Sequence, residues 1–138
     1  MPYYQNYNQD YKESNIKETK FNQGIAIQIR LNQHWIEYND VISNQDYPTA
    51  LIKLQRVFGE LCAQISKKIP KTFNEINQEF LKIGELLSVW WKFRGIKYLT
   101  IKNQIHRSIF GLELKLKIAQ DEVGMGMPDK ENEEYTYT

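Results

Sequence analysis

The sequence has little of what catalytic and metal-binding proteins depend on. A single cysteine, Cys62, stands among the 138 residues, which excludes an intramolecular disulfide and a zinc site built from several thiolates. The sequence has only two histidines, and it contains no glycine-rich phosphate loop and no Ser-His-Asp order. No stretch approaches the ~20 apolar residues that a membrane span needs. We therefore expect a cytoplasmic protein that has no cofactor, no small-molecule substrate and no membrane partner.

His34 and Glu37 come closest to a metal-binding or acid–base pair. They lie three residues apart, but the di-metal motif of helical bundles runs Glu-x-x-His and occurs on two helices. Here the order is reversed and occurs once, so His34 is predicted to be a polar histidine on a partly buried face. Cys62 lies beside an apolar stripe without a clear basic neighbour, and we expect a buried, unreactive thiol. The sequence therefore predicts a protein that is not an enzyme.

Charge is distributed unevenly along a chain whose net charge is only +1. Residues 1–85 are balanced, residues 86–120 carry a net charge of +6, and residues 121–138 carry −5. A basic segment that adjoins an acidic one favours mutual shielding at short range. The basic segment is also where contacts with a polyanion such as nucleic acid are expected.

Apolar residues recur at alternating steps of three and four in four segments, which is typical of amphipathic helices. The clearest segment runs from Lys71 to Gly95 and is predicted to be the core helix around which the chain is organised. Thr72 and Glu75 are placed to form a capping box at its start, and Gly95 is placed to end it. Its stripe consists of Phe73, Ile76, Phe80, Ile83, Leu87 and Trp90.

Two further helices are predicted before this one. Helix 1 is expected over about 24–42, although residues 25–31, like residues 112–118, also alternate as a strand does; the length of the helical pattern favours helix. Helix 2 is predicted to begin at Pro48, whose missing N–H costs nothing in a first turn, and to end before Pro70, which blocks continuation. The short breaks between these helices predict antiparallel neighbours that cross at shallow angles.

Helix 4 differs from the others because it is apolar on two faces. Its inner stripe runs from Tyr98 to Ala119, and a second stripe lies on roughly the opposite side of a helical wheel. A monomeric bundle buries one face of each helix, so the second stripe is a candidate oligomer interface. Gly111 leaves an alternative, in which a kink turns both stripes towards one core. The candidate interface residues are Leu99, Phe110, Leu114 and Ile118.

Together these patterns predict an all-α fold, an antiparallel four-helix bundle over residues 23–120. Residues 1–22 are rich in Tyr, Asn and Gln, and residues 121–138 are acidic and broken by glycine. Neither segment can bury enough apolar surface to offset its ordering entropy, so both are expected to be disordered tails.

For function, the sequence favours a non-enzymatic helical interaction or assembly module that self-associates as a homo-oligomer. The alternative is a small nucleic-acid-binding protein that uses the basic region 86–120 and one exposed aromatic ring for base stacking. A viral or plasmid accessory protein is the setting suggested by the small size and the lack of enzyme motifs. The candidate nucleic-acid contacts are Trp91, Lys92, Arg94, Lys97, Lys102 and Arg107.

Overall fold

The computed structural model describes residues 9–126, with side chains from Asn22 onward, and contains four helices. They are α1 (Gln9–Ser43), α2 (Tyr47–Lys68), α3 (Pro70–Trp90) and α4 (Gly95–Glu122). The predicted all-α fold is confirmed, because these helices pack on one another and the described part contains no strand. Residues 25–31 and 112–118 lie within α1 and α4, which excludes the strand interpretation of both runs.

The central position in the bundle belongs to α2. This helix packs against α1, α3 and α4, whereas α3 packs against α2 and α4. The expectation that the chain is organised around the Lys71–Gly95 segment is therefore wrong. The physical reason is the width of the apolar face: α2 also buries Ala50 and Val57 beside its predicted stripe, while the buried residues of α3 are Ile76, Phe80 and Ile83. A wider apolar face can contact more neighbours.

The start of α2 follows the predicted signals. Asp46 precedes the helix and accepts a hydrogen bond from the backbone N–H of Thr49 at 3.3 Å. Pro48 lies in the first turn, where its missing N–H has no intrahelical role. The helix ends at Lys68, before Pro70, as predicted.

Both predicted ends of α3 are wrong. The helix begins at Pro70, and no side chain caps it, so Thr72 and Glu75 lie inside the helix and form no capping box. Proline suits the first helical position because the N–H that it lacks would be unpaired there. The helix ends at Trp90, and Gly95 opens α4 with a φ of +64°, a conformation that favours glycine.

Helix α1 is longer than predicted and reaches beyond the end of α2. Arg30 pairs with Glu60 and Glu37 with Lys53, so positions along the two helices run in opposite directions. Because α2 ends at Lys68, α1 residues before about residue 22 lie beyond its end. Residues 9–22 of the expected disordered tail thus belong to a helix that begins at Gln9. Residues 1–8 and 127–138 of the expected tails lie outside the described residues.

The hydrophobic core reaches all four helices, and Trp35 of α1 connects α1 to α4. The Cα atoms of α1 and α4 stay more than 8 Å from one another in the described part, and the indole of Trp35 lies between them. Its Nε1 donates a hydrogen bond to Oε1 of Gln120 at 2.9 Å, and both residues are buried. Because buried polar groups require partners, this bond specifies which face of α4 turns inward.

Candidate interaction surface

Helix α4 presents one face to the core along its whole length. It runs without interruption from Gly95 to Glu122, and Gly111 is exposed within it. The alternative in which a kink at Gly111 turns both apolar stripes towards one core is therefore wrong. The core face includes Ile101, Ile105, Ile109, Leu112, Leu116 and Ala119.

The opposite face of α4 exposes large apolar side chains. Three of them, Phe110, Leu114 and Ile118, follow one another at steps of four and form a continuous ridge, called the outer ridge below. Leu99 lies on the same face but is separated from the ridge by the polar residue Asn103. The exposed fractions are 55% for Leu99, 42% for Phe110, 59% for Leu114 and 49% for Ile118.

Sequence reasoning missed one residue of this face, Ile96. Its side chain is 84% exposed, and it precedes Leu99 by three residues, the spacing of neighbours on a helix. The signal was present, but the helical stripe was counted only from Tyr98. Ile96 lies in the first turn of α4, which begins at Gly95.

An aromatic cluster that reaches the buried Tyr47 supports Phe110, the first residue of the outer ridge. The ring of Phe110 lies 4.7 Å from the ring of His106, measured between centroids. His106 in turn contacts the buried Tyr47, whose hydroxyl lies 2.8 Å from His106 Nδ1. Burial raises the pKa of Tyr47, so its hydroxyl stays protonated in this contact. Phe110 therefore packs on His106 and through it on Tyr47, although its own side chain faces solvent.

Charged residues on α4 differ in whether they have partners. Lys117 Nζ lies 3.1 Å from Glu113 Oε2 and 5.4 Å from the ring centre of Trp35. Arg107 and Asp121 flank the outer ridge and are exposed; among the described residues neither forms an ion pair. Arg107 precedes the ridge, with its Nε donating to the backbone carbonyl of Asn103 at 3.4 Å, and Asp121 follows the ridge.

The candidate nucleic-acid contacts lie at the α3–α4 connection and along α4. Trp91 is 66% exposed, and Lys92 Nζ lies 5.8 Å from the centre of its ring, while its Nε1 donates to the carbonyl of Ser88 at 2.9 Å. Arg94 uses its guanidinium to hold the connection, donating to the carbonyls of Trp91 and Phe93. Lys92, Lys97 and Arg107 are exposed and Lys102 is partly buried. The structure brings Trp91, Lys92, Arg94 and Lys97 together but leaves Lys102 and Arg107 on later turns of α4.

The polar residues between α1 and α2 form ion pairs. The Arg30 guanidinium donates hydrogen bonds to both carboxylate oxygens of Glu60, at 2.8 and 3.0 Å. These bonds hold the pKa of the Glu60 carboxyl below its usual value. Lys53, with help from Gln33, likewise lowers the pKa of Glu37. The two ion pairs stabilise the packing of α1 on α2, because each joins a residue of α1 to a residue of α2.

His34 and Cys62 occupy ordinary positions beside these pairs. His34 is partly buried, as predicted, and its Nε2 lies 3.9 Å from Glu60 Oε1. Cys62 is partly exposed, so the expectation of a buried thiol is wrong. The described residues contain no group of three metal-ligating side chains, and no helix among them is long and apolar enough to cross a membrane.

The fold and its surface define a class of protein, an all-α helical bundle that exposes an apolar ridge on α4. Comparisons with family models, with curated proteins and with solved structures gave no match. The surface chemistry of the described residues is therefore the basis for the function proposed below.

Proposed function

We propose that this protein is a non-enzymatic helical interaction module that self-associates through the outer ridge of α4. The supporting observation is the exposure of Phe110, Leu114 and Ile118 on a helix whose other face already fills the core. Contiguous exposed apolar side chains favour interaction, and a second copy buries the same ridge on both partners. A single helix pair is small for a protein interface, so we expect a dimer that forms at micromolar concentration. A cytoplasmic location and a viral or plasmid setting stay predictions.

Leu114→Glu tests this proposal directly. Leu114 is the most exposed residue of the ridge, so a charge there should leave the fold intact while preventing burial against a second copy. We expect the variant to be a folded helical monomer by light scattering and circular dichroism. Leu81→Glu on α3 is the matched control, because Leu81 is 64% exposed and lies on another helix. The control should associate as the wild type does.

Two results would contradict the proposal. A wild-type protein that is monomeric at high micromolar concentration would show that the ridge has no second copy as its partner. If Leu114→Glu and Leu81→Glu weakened association equally, the effect would be one of added charge rather than of the ridge.

The alternative function is binding of a nucleic acid through the α3–α4 connection. It is favoured by the exposed ring of Trp91 beside the exposed cations Lys92, Arg94 and Lys97, the combination that single-strand binding uses. Retention on heparin at two salt concentrations, with protein freed of host nucleic acid, separates the alternatives. Retention that falls steeply as the salt concentration rises would favour the nucleic-acid function.

A further inference from the structure

The outer ridge and its flanking charges are arranged symmetrically about Leu114. Phe110 and Ile118 lie four residues before and after it, and Arg107 and Asp121 lie seven residues before and after it. At about 100° per residue, all five positions fall within about 40° of Leu114 around the helix axis. The pattern is therefore the same when read from either end, except that the terminal charges have opposite signs.

Such a pattern is self-complementary for two helices that run antiparallel. A two-fold axis at Leu114 places each Leu114 against its copy and Phe110 against Ile118 of the second copy. The same axis places Arg107 against Asp121 of the second copy, and it does so twice. Parallel pairing in register would instead bring Arg107 towards Arg107 and Asp121 towards Asp121, where like charges repel.

We propose that two copies of this chain pair antiparallel through α4, with Leu114 on the two-fold axis and Arg107 bound to Asp121 across the contact. This inference rests on the self-association proposed above and adds its orientation and register. Glu113 and Lys117 are unavailable for this role because they bind each other, whereas Arg107 and Asp121 have no ion-pair partner among the described residues.

The register also limits the length of the contact. Leu99 lies fifteen residues before Leu114, and its symmetry position lies fifteen residues after it, beyond the last residue of α4. Leu99 and Ile96 therefore lie outside the paired helices, and Leu99→Glu should weaken association less than Leu114→Glu does.

Charge reversal tests the orientation. Arg107→Asp makes both ends of the ridge acidic, and Asp121→Arg makes both ends basic, so each variant replaces two attractive contacts per dimer by two repulsive ones. Because exposed ion pairs are weak individually, we expect each reversal to raise the dimer Kd about tenfold at low salt. The double variant Arg107→Asp/Asp121→Arg restores both pairs with exchanged signs and should return the Kd to about the wild-type value. Lys71→Asp, an exposed site at the start of α3, is the control for net charge.

Sedimentation equilibrium measures the dimer Kd of the wild type, the three ridge variants and the Lys71→Asp control, each at low and high salt. Weakened single variants with a restored double variant support the antiparallel register, and the differences should shrink in high salt because exposed charges are screened. Single variants that equal the wild type, or a double variant as weak as the singles, overturn it. Failure of the register is distinguishable from failure of the proposed function. In the first case the wild type still associates and Leu114→Glu still abolishes association, whereas in the second the wild type is a monomer.

Discussion

Trp35→Phe should destabilise the protein more when it is made alone than when Gln120→Leu accompanies it. Trp35→Phe removes the N–H that donates to Gln120 Oε1 and leaves that oxygen buried without a partner, which costs about 1–3 kcal/mol. The smaller ring leaves a void of roughly 40 Å³, which adds about 1 kcal/mol at ~24 cal/mol per Å³. The free energy of unfolding should therefore fall by about 2–4 kcal/mol.

Gln120→Leu in the same chain removes the stranded amide, including its Nε2, which has no hydrogen-bond partner among the described residues. Replacing both partners of a buried hydrogen bond by apolar groups is nearly neutral, so the double variant should regain about 1–3 kcal/mol relative to Trp35→Phe. Urea unfolding followed by circular dichroism measures this at one fixed protein concentration, because association shifts apparent stability. If the costs of the two single variants simply add, the buried hydrogen bond does not couple these residues and the reasoning is refuted.

Two further predictions concern the core and the ion pairs. Phe80→Ala should lower the free energy of unfolding by about 3–5 kcal/mol, because Phe80 is 9% exposed and stacks on Phe58. Leu87→Ala should lower the free energy of unfolding by less, since Leu87 is only partly buried. Thermal melts in which Leu87→Ala is more destabilising than Phe80→Ala would contradict this. Stability should also fall in acid, because the pKa values of Glu37 and Glu60 are lowered in the folded state. This stabilisation is present above the ordinary carboxyl pKa and is lost as the pH falls through the lowered folded-state pKa. Glu60→Gln should flatten that acid limb of a urea-midpoint titration, and an unchanged limb would show that Glu60 contributes nothing to it.

The periodic features of the fold were predictable from the sequence because helical spacing is a local property. The two faces of α4 illustrate this: residues spaced by three and four along one stripe are buried, and Phe110, Leu114 and Ile118 on the other are exposed. The ends of α3 were not predictable by the same reasoning, since Thr72 and Pro70 both satisfy rules for a helix start. Proline was decisive because it fits the first turn without a capping partner.

Features that depend on distant residues could not be read from spacing. The bond between Trp35 and Gln120 joins positions 85 residues apart, and nothing local marks a glutamine at the end of α4 as buried. The central position of α2 likewise depends on how many neighbours share its apolar face. The helix bounds at residues 9–22 were also not readable from composition, because low aliphatic content does not prevent an extension of an established helix.

The candidate interface depends both on residue spacing in the sequence and on side-chain contacts in the structure. Spacing alone identifies the outer ridge, but it does not show which of the charges on α4 are free to contact a second copy. The structure removes Glu113 and Lys117 from consideration because they bind each other, with Lys117 also over Trp35. It also shows that Phe110 rests on His106, which is held by Tyr47. This contact restrains the Phe110 side chain before association, which lowers the entropic cost of ordering it on binding. This restraint favours the proposed dimer, in which three apolar residues from each copy and two charge pairs form the contact.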